Sequence, residues 1–138
     1  MSRIELLAVE GLPEVNADDD LAAMITAATD QPIGADDLLV VAHKIISKAE
    51  GSVVELAAVE PSARAIEIAE RQGRDPRHVE VILSQSAEII RDSGDLLICR
   101  THHGLICANA GVDGSNSGAD GRLVLLPRDP DASARALR

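Results

Sequence analysis

Residues 61–90 read "PSARAIEIAERQGRDPRHVEVILSQSAEII" and predict two consecutive helices. Pro61 suits the first turn of a helix, and Gly73 is typical of a helix end. Asp75 followed by Pro76 predicts the start of a second helix. The stripes expected to be buried consist of Ile66 and Ala69 in the first helix and of Val79, Ile82, Leu83 and Ile90 in the second.

The chain before these helices is expected to contribute strands and one more helix. Residues 3–13, "RIELLAVEGLP", predict a strand that enters a turn, and the acidic residues that open 18–30 suit the start of a helix. The apolar face of that helix would consist of Leu21, Met24, Ile25 and Ala28. The run 38–42 predicts a buried strand, and residues 52–56 predict another.

The chain after the two helices predicts a hairpin, a strand and a helix. Residues 96–109 read "LLICRTHHGLICAN", with a turn at 102–104 that places Cys99 opposite Cys107. "GRLVLLP" then predicts a strand and "DPDASARALR" a helix. The expected fold is α+β, a mixed α/β arrangement with a mixed sheet, in a single domain of residues 1–138.

Composition excludes several classes of partner. The chain has 138 residues, a formal net charge of −10 and no Phe, Tyr or Trp. The charge argues against nucleic acid and anionic membranes, and the absence of aromatic rings argues against a base-stacking surface. No signal peptide or membrane span fits the first residues. We therefore expect a cytoplasmic protein in which Cys99 and Cys107 are free thiols.

A basic stretch, "HKIISKAEG" at residues 43–51, follows the expected buried strand. Lys48 at a strand end would suit a phosphate group, because its ammonium is a compact positive charge. A solvated basic turn explains the same residues, and spacing alone favours the turn. No glycine pattern of a P-loop precedes Lys48.

A permissive loop, "CANAGVDGSNSG" at residues 107–118, holds one charged residue, Asp113. The carboxylate could bind a hard cation, with Gly111 letting the backbone approach a ligand and Asn116 hydrogen-bonding to it. An Asx turn uses the same residue types for their tolerance of unusual dihedral angles. Composition favours the turn and leaves the ligand site open.

Four stretches together resemble a known family. They are "VEGLPEV" (9–15), "DDLLVVAHKIISKAEG" (36–51), "ANAGVDGSN" (108–116) and "LLPRDPDASARALR" (125–138). In this order and spacing they resemble the N-terminal half of the coenzyme F420-0:L-glutamate ligases. "ISKAEG" and "AGVDGSN" are the specific parts of the resemblance.

The resemblance implies a GTP-dependent ligase that forms an amide between L-glutamate and the deazaflavin coenzyme F420-0. It implies a Mg²⁺ or Mn²⁺ ion bound by Asp113, while no residue receives a catalytic role. The nucleotide-binding residues that it implies are Leu12, Pro13, Glu14, Val15, His43, Lys44, Lys48 and Asn116. It also implies a homodimer.

The resemblance covers only part of the family's length. Members of the family continue for about as long again, so the C-terminal half, with further metal ligands, is expected to lie outside residues 1–138. The chain is then expected to be inactive without that half. The alternative is a non-catalytic module that binds nucleotide or metal, or a partner subunit.

Overall fold

The structure, a computed structural model, describes residues 3–115 and 121–138. The helices in these ranges are α1 (Leu21–Ala28), α2 (His43–Ala49), α3 (Ala63–Gln72), α4 (Pro76–Ser84) and α5 (Pro130–Ala136). The strands are β1 (Val53–Glu55), β2 (Ser86–Ser93), β3 (Leu96–Thr101), β4 (Ile106–Ala108) and β5 (Arg122–Val124). No helix in the described ranges is long and apolar enough to cross a membrane. The expected α+β class is confirmed.

The strands form two small antiparallel sheets. One has the order β2-β3-β4, and the other pairs β1 with β5, with Val53 opposite Val124. The sheet was expected to be mixed, whereas every pairing of these strands is antiparallel. The predicted hairpin is confirmed, with Cys99 opposite Cys107 and both side chains free thiols.

Capping residues delimit α3 and α4, and Gly73, Asp75 and Pro76 have the roles that the sequence predicts, whereas Pro61 precedes the Ser62 cap instead of lying in the first turn of α3. The Ser62 side chain accepts a hydrogen bond from the Ala65 amide, and Gly73 ends α3 in the left-handed conformation, with φ of 64°. The Asp75 side chain accepts from the Arg77 amide at the start of α4. Only glycine reaches such positive φ values at little cost, so Gly73 separates the two helices.

The core lies between α3, α4 and the strands. Its buried residues are Ala65, Ile68 and Ala69 of α3, Val79, Val81 and Ile82 of α4, Leu97 and Cys99 of β3, and Ala110, Val112 and Leu123. Two members of the predicted stripes do not belong to it, because Ile66 and Ile90 are exposed. Ile90 lies in β2, since α4 ends at Ser84 and the chain then pairs with β3.

Two predicted strands are wrong. Residues 3–13 and 38–42 form no strand, and most of their apolar side chains are exposed. Apolar sequence alone does not make a strand when no described strand pairs with it, because the hydrogen bonds of a strand come from a neighbour.

The predicted basic turn is instead α2, whose first residue, His43, follows an Ala42 that caps the helix without a side-chain hydrogen bond.

Three successive residues with positive φ connect β4 to the segment that contains Asp113. The φ angles are 50° at Asn109, 53° at Ala110 and 73° at Gly111. A Cβ atom on Gly111 would lie 2.7 Å from Cγ of Leu126. The sequence suggested that Gly111 leaves room for a ligand, whereas the space is filled by the Leu126 side chain.

Gly111→Ala is therefore expected to destabilise the protein more than the same change at Gly104. Both glycines have positive φ, but nothing lies within 4 Å of a Cβ at Gly104. Both variants pay the strain of a left-handed alanine, roughly 1 kcal/mol, and only Gly111→Ala adds overpacking, about 1–3 kcal/mol. Urea unfolding measures the difference, which Leu126→Ala should reduce. Equal losses in the two variants would contradict the close packing of Gly111 on Leu126.

Candidate functional site

A cavity of about 540 Å³ is lined by residues from four parts of the chain. Lys48 of α2, Arg122 of β5 and Ser115 contribute polar side chains, and Glu14 and Val15 come from the segment before α1. Of the residues that the sequence singled out for nucleotide binding, the cavity thus brings together Glu14, Val15 and Lys48. The cavity holds two cationic side chains, Lys48 and Arg122, and the carboxylates of Glu14 and Glu55 that pair with them.

Lys48 is held by an acidic partner. It lies in the last turn of α2, where a cation interacts favourably with the helix dipole, and its ammonium donates a hydrogen bond to the Glu14 carboxylate. Lys48 is largely buried, whereas three quarters of the Glu14 side chain is exposed. The hydrogen bond and the charge of Lys48 lower the pKa of Glu14. Glu14 is thus the acidic partner of Lys48 and the more exposed of the two.

Asp113 is fixed by its backbone beside β5. The backbone N–H groups of Asp113 and Val124 each donate to the other residue's carbonyl oxygen, at 2.9 Å. One carboxylate oxygen lies 2.6 Å from Nζ of Lys44, and the other accepts from the Ser115 amide at 2.7 Å. The Lys44 hydrogen bond, followed by those from Ser115, holds the pKa of Asp113 far below its usual range. Asp113 is therefore a carboxylate at neutral pH.

The loop is an Asx turn, since the Asp113 side chain accepts from the amide two residues later. The turn also connects the Lys44–Asp113 ion pair to the cavity that Lys48 lines. Lys44 donates to Oγ of Ser115 at 2.8 Å, and Ser115 lines the cavity that contains Lys48. Motifs that are distant in sequence thus meet around the side chain of Ser115.

Asp113 is the residue at which the resemblance implies a metal ion. Within residues 3–115 and 121–138, no group of three or more His, Cys, Asp or Glu side chains could hold a metal. Mg²⁺ is commonly bound through one or two carboxylates together with water and substrate phosphates, so one carboxylate fits a metal that enters with a nucleotide. The ammonium of Lys44 occupies the position on Asp113 that such a cation would take.

Several predicted site residues lie outside the cavity. Leu12 is half-buried and Pro13 is exposed, and neither lines it. His43 lines a separate groove, and its Nε2 atom is buried without a hydrogen-bond partner among the described residues. Asn116 lies outside the described residues.

Arg122 is a cavity residue that sequence reasoning missed. Its Nε atom lies 3.8 Å from the Glu55 carboxylate across the β1-β5 pair, and both side chains are about half exposed. The sequence carries no motif around Arg122. Its place in the cavity follows from the pairing of strands that are nearly 70 positions apart, which no local pattern reveals.

The sequence matches a protein family and several curated relatives. The family model described as F420-0:Gamma-glutamyl ligase matches residues 11–138. A protein named "Coenzyme F420:L-glutamate ligase" from Methanothermobacter thermautotrophicus is 48% identical over 97% of this chain and 54% of its own length. Proteins of that name from Methanopyrus kandleri and Archaeoglobus fulgidus are 44% and 43% identical, over 55% and 53% of their lengths. The chain thus spans about half the length of these curated relatives, and the expected resemblance is confirmed.

Proposed function

Because the chain belongs to the F420-0:Gamma-glutamyl ligase family, we propose that it supplies the nucleotide-binding part of a GTP-dependent ligase that joins L-glutamate to coenzyme F420-0. One observation carries the proposal. Lys44, two residues before "ISKAEG" at 46–51, bonds to Asp113 and Ser115 of "AGVDGSN" at 110–116, beside the cavity that Lys48 lines.

The cavity contains positively charged side chains, which a nucleotide needs for its phosphates. A triphosphate is repelled by a chain of net charge −10 unless cations gather where it binds. Lys48 and Arg122 line the cavity beside their acidic partners, Glu14 and Glu55, and Lys44 adjoins it through Ser115. We expect the triphosphate to displace Glu14 from Lys48, because Glu14 is the more exposed partner of the pair.

The proposed reaction has two steps. The γ-phosphoryl group of GTP passes to a carboxylate oxygen of F420-0, and GDP leaves. The amine of L-glutamate then attacks the acyl carbon, loses a proton and expels phosphate as the amide forms. The residues of this chain would hold the phosphates in line during the first step. A bound Mg²⁺ or Mn²⁺ at Asp113 would neutralise phosphate charge.

A second candidate is a nucleotide- or metal-binding module without catalysis, or a partner subunit. Turnover by the isolated chain would distinguish a complete ligase from a binding module and from a partner subunit. The homodimer and the cytoplasmic location stay predictions.

Titration calorimetry of GTP tests the proposed function. We expect heat of binding in the presence of Mn²⁺ and much weaker binding with excess chelator. Binding that is unchanged by the chelator would contradict the metal at Asp113. The absence of binding in both conditions would reject the nucleotide site itself.

Asp113→Asn is expected to abolish the gain in GTP affinity that Mn²⁺ provides, because a neutral amide is a poor ligand for a hard cation. The matched control is Asp92→Asn. Asp92 forms an ion pair of the same length, 2.6 Å, with Arg71, and its side chain is as exposed as that of Asp113. The control should keep the full metal effect. Calorimetry that finds the same Mn²⁺ effect in Asp113→Asn and its parent would refute the assignment.

A further inference from the structure

Two apolar segments leave their side chains in solvent. We call residues 3–10 and 38–42 the open segments. The side chains of Ile4 and Leu6 are 89% and 92% exposed, and those of Leu38 and Val40 are 86% and 82% exposed. Large exposed apolar side chains grouped in a short stretch typically mark an interaction surface.

The backbone of the open segments is also unpaired. In the part of the chain that the structure describes, no N–H group of residues 3–10 or 38–42 donates a hydrogen bond to another backbone group. Sequence rich in Val, Ile and Leu with unpaired N–H groups is a template for strand addition, in which another chain supplies the missing hydrogen bonds.

The second open segment has the alternation of a strand. Leu38 and Val40 are far more exposed than Leu39 and Val41, although Leu38 also contributes, with Leu39, Val41 and Leu126, to a groove of about 1000 Å³. Successive side chains of a strand point to opposite faces, so one face of this segment rests on the protein and the other is open. The segment is thus arranged as a strand without a neighbour.

The length of the relatives and the charged residues beside the open segments indicate which polypeptide would cover them. The relatives are about twice as long as this chain, so the family fold includes about as much polypeptide again. Acidic residues border both segments, with Glu10 at the end of the first and Asp36 and Asp37 before the second, while Glu5 is paired with Arg3 inside the first segment. A second copy would bring acidic residues against acidic residues, and like charges on facing strands are destabilising. The acidic residues beside the open segments instead favour pairing with strands that carry Lys or Arg.

We propose that the open segments, which form no strand in this chain alone, become strands of a sheet when they pair with a polypeptide that carries the remaining half of the family's length. Main-chain hydrogen bonds to residues 3–10 and 38–42 would provide the pairing, and Leu6, Leu38 and Val40 would be buried by it. The proposal rests on family membership and not on GTP or metal binding.

Co-expression tests the proposal directly. The 138-residue chain is produced together with the part of the Methanothermobacter relative that lies outside the aligned region. We expect a one-to-one complex by light scattering, in which hydrogen exchange slows at residues 3–10 and 38–42. A complex that leaves both segments unprotected, or no complex, would overturn the proposal. Protection that appears in the chain alone as its concentration rises would assign the surface to a second copy instead.

Single substitutions locate the contact. Leu38→Asp and Leu6→Asp should each weaken the complex at least tenfold without altering the fold, because both side chains are exposed in the chain alone. Ile106→Asp is the control, since Ile106 is an exposed apolar residue of β4, outside the open segments. Equal weakening by Ile106→Asp would contradict the assignment. GTP calorimetry on the same samples shows separately whether the nucleotide site is intact.

Discussion

Lys48→Ala is expected to weaken GTP binding by roughly 10- to 100-fold. A hydrogen bond to a charged group contributes about 1.5–3 kcal/mol, and each 1.4 kcal/mol is a factor of about ten in affinity. Lys48 is largely buried at the cavity wall, so water screens its interaction with a phosphate less than at an open surface. Titration calorimetry with Mn²⁺ present measures the loss.

The control for Lys48→Ala is Arg100→Ala. It makes the same change in net charge, but Arg100 lies on β3 with its nearest ion-pair partner, Glu88, at 3.3 Å. We expect Arg100→Ala to change GTP affinity less than twofold. The loss in Lys48→Ala should shrink as salt is added, because the contact is ionic. A loss that is independent of salt, with a lowered melting temperature, would show damage to α2 instead.

Ile82→Ala is expected to lower the free energy of unfolding by about 2–5 kcal/mol. Ile82 is fully buried where α4 packs on the core, and replacing a buried isoleucine by alanine leaves a cavity. The partner variant is Ile90→Ala, at a position that the sequence assigned to the same stripe. Ile90 is 44% exposed in β2, so we expect its loss to be below about 1 kcal/mol.

Urea unfolding followed by circular dichroism measures both variants, since a chain without Trp and Tyr offers little intrinsic fluorescence. The comparison also tests where α4 ends. Similar losses at Ile82 and Ile90 would mean that the helix continues to residue 90 with one buried face, as the sequence alone predicts. A large loss confined to Ile82 would support the end of α4 at Ser84.

Local signals predicted the elements that local interactions define. Asp20, Ser62, Asp75 and Asp129 each accept a hydrogen bond from an amide at the start of a helix, and each such residue type is recognisable before an apolar periodic run. The hairpin was equally predictable, because Gly104 marks its turn between two β-rich runs. α2 was missed because Ala42 provides no capping side chain.

Distant contacts were not predictable from the sequence. The run 38–42 has the composition of a buried strand, but burial depends on what covers it, which no local pattern specifies. The site has the same limitation, since Lys44 and Ser115 are 71 positions apart and form one hydrogen bond. Family resemblance implied Lys44, Lys48 and Asp113 as candidate site residues, and only the structure shows that Lys44 pairs with Asp113 and that Arg122 lines the cavity.

The three residues with left-handed backbone conformation, 109–111, connect Asp113 directly to the buried core. Oδ1 of Asn109 accepts hydrogen bonds from Arg74 and from the Leu97 amide, and Ala110 is buried. Two residues beyond Gly111, the chain reaches Asp113 with its direction already determined by these contacts. The carboxylate therefore has no hinge of its own, and on heating it should lose its position only when the whole molecule unfolds cooperatively.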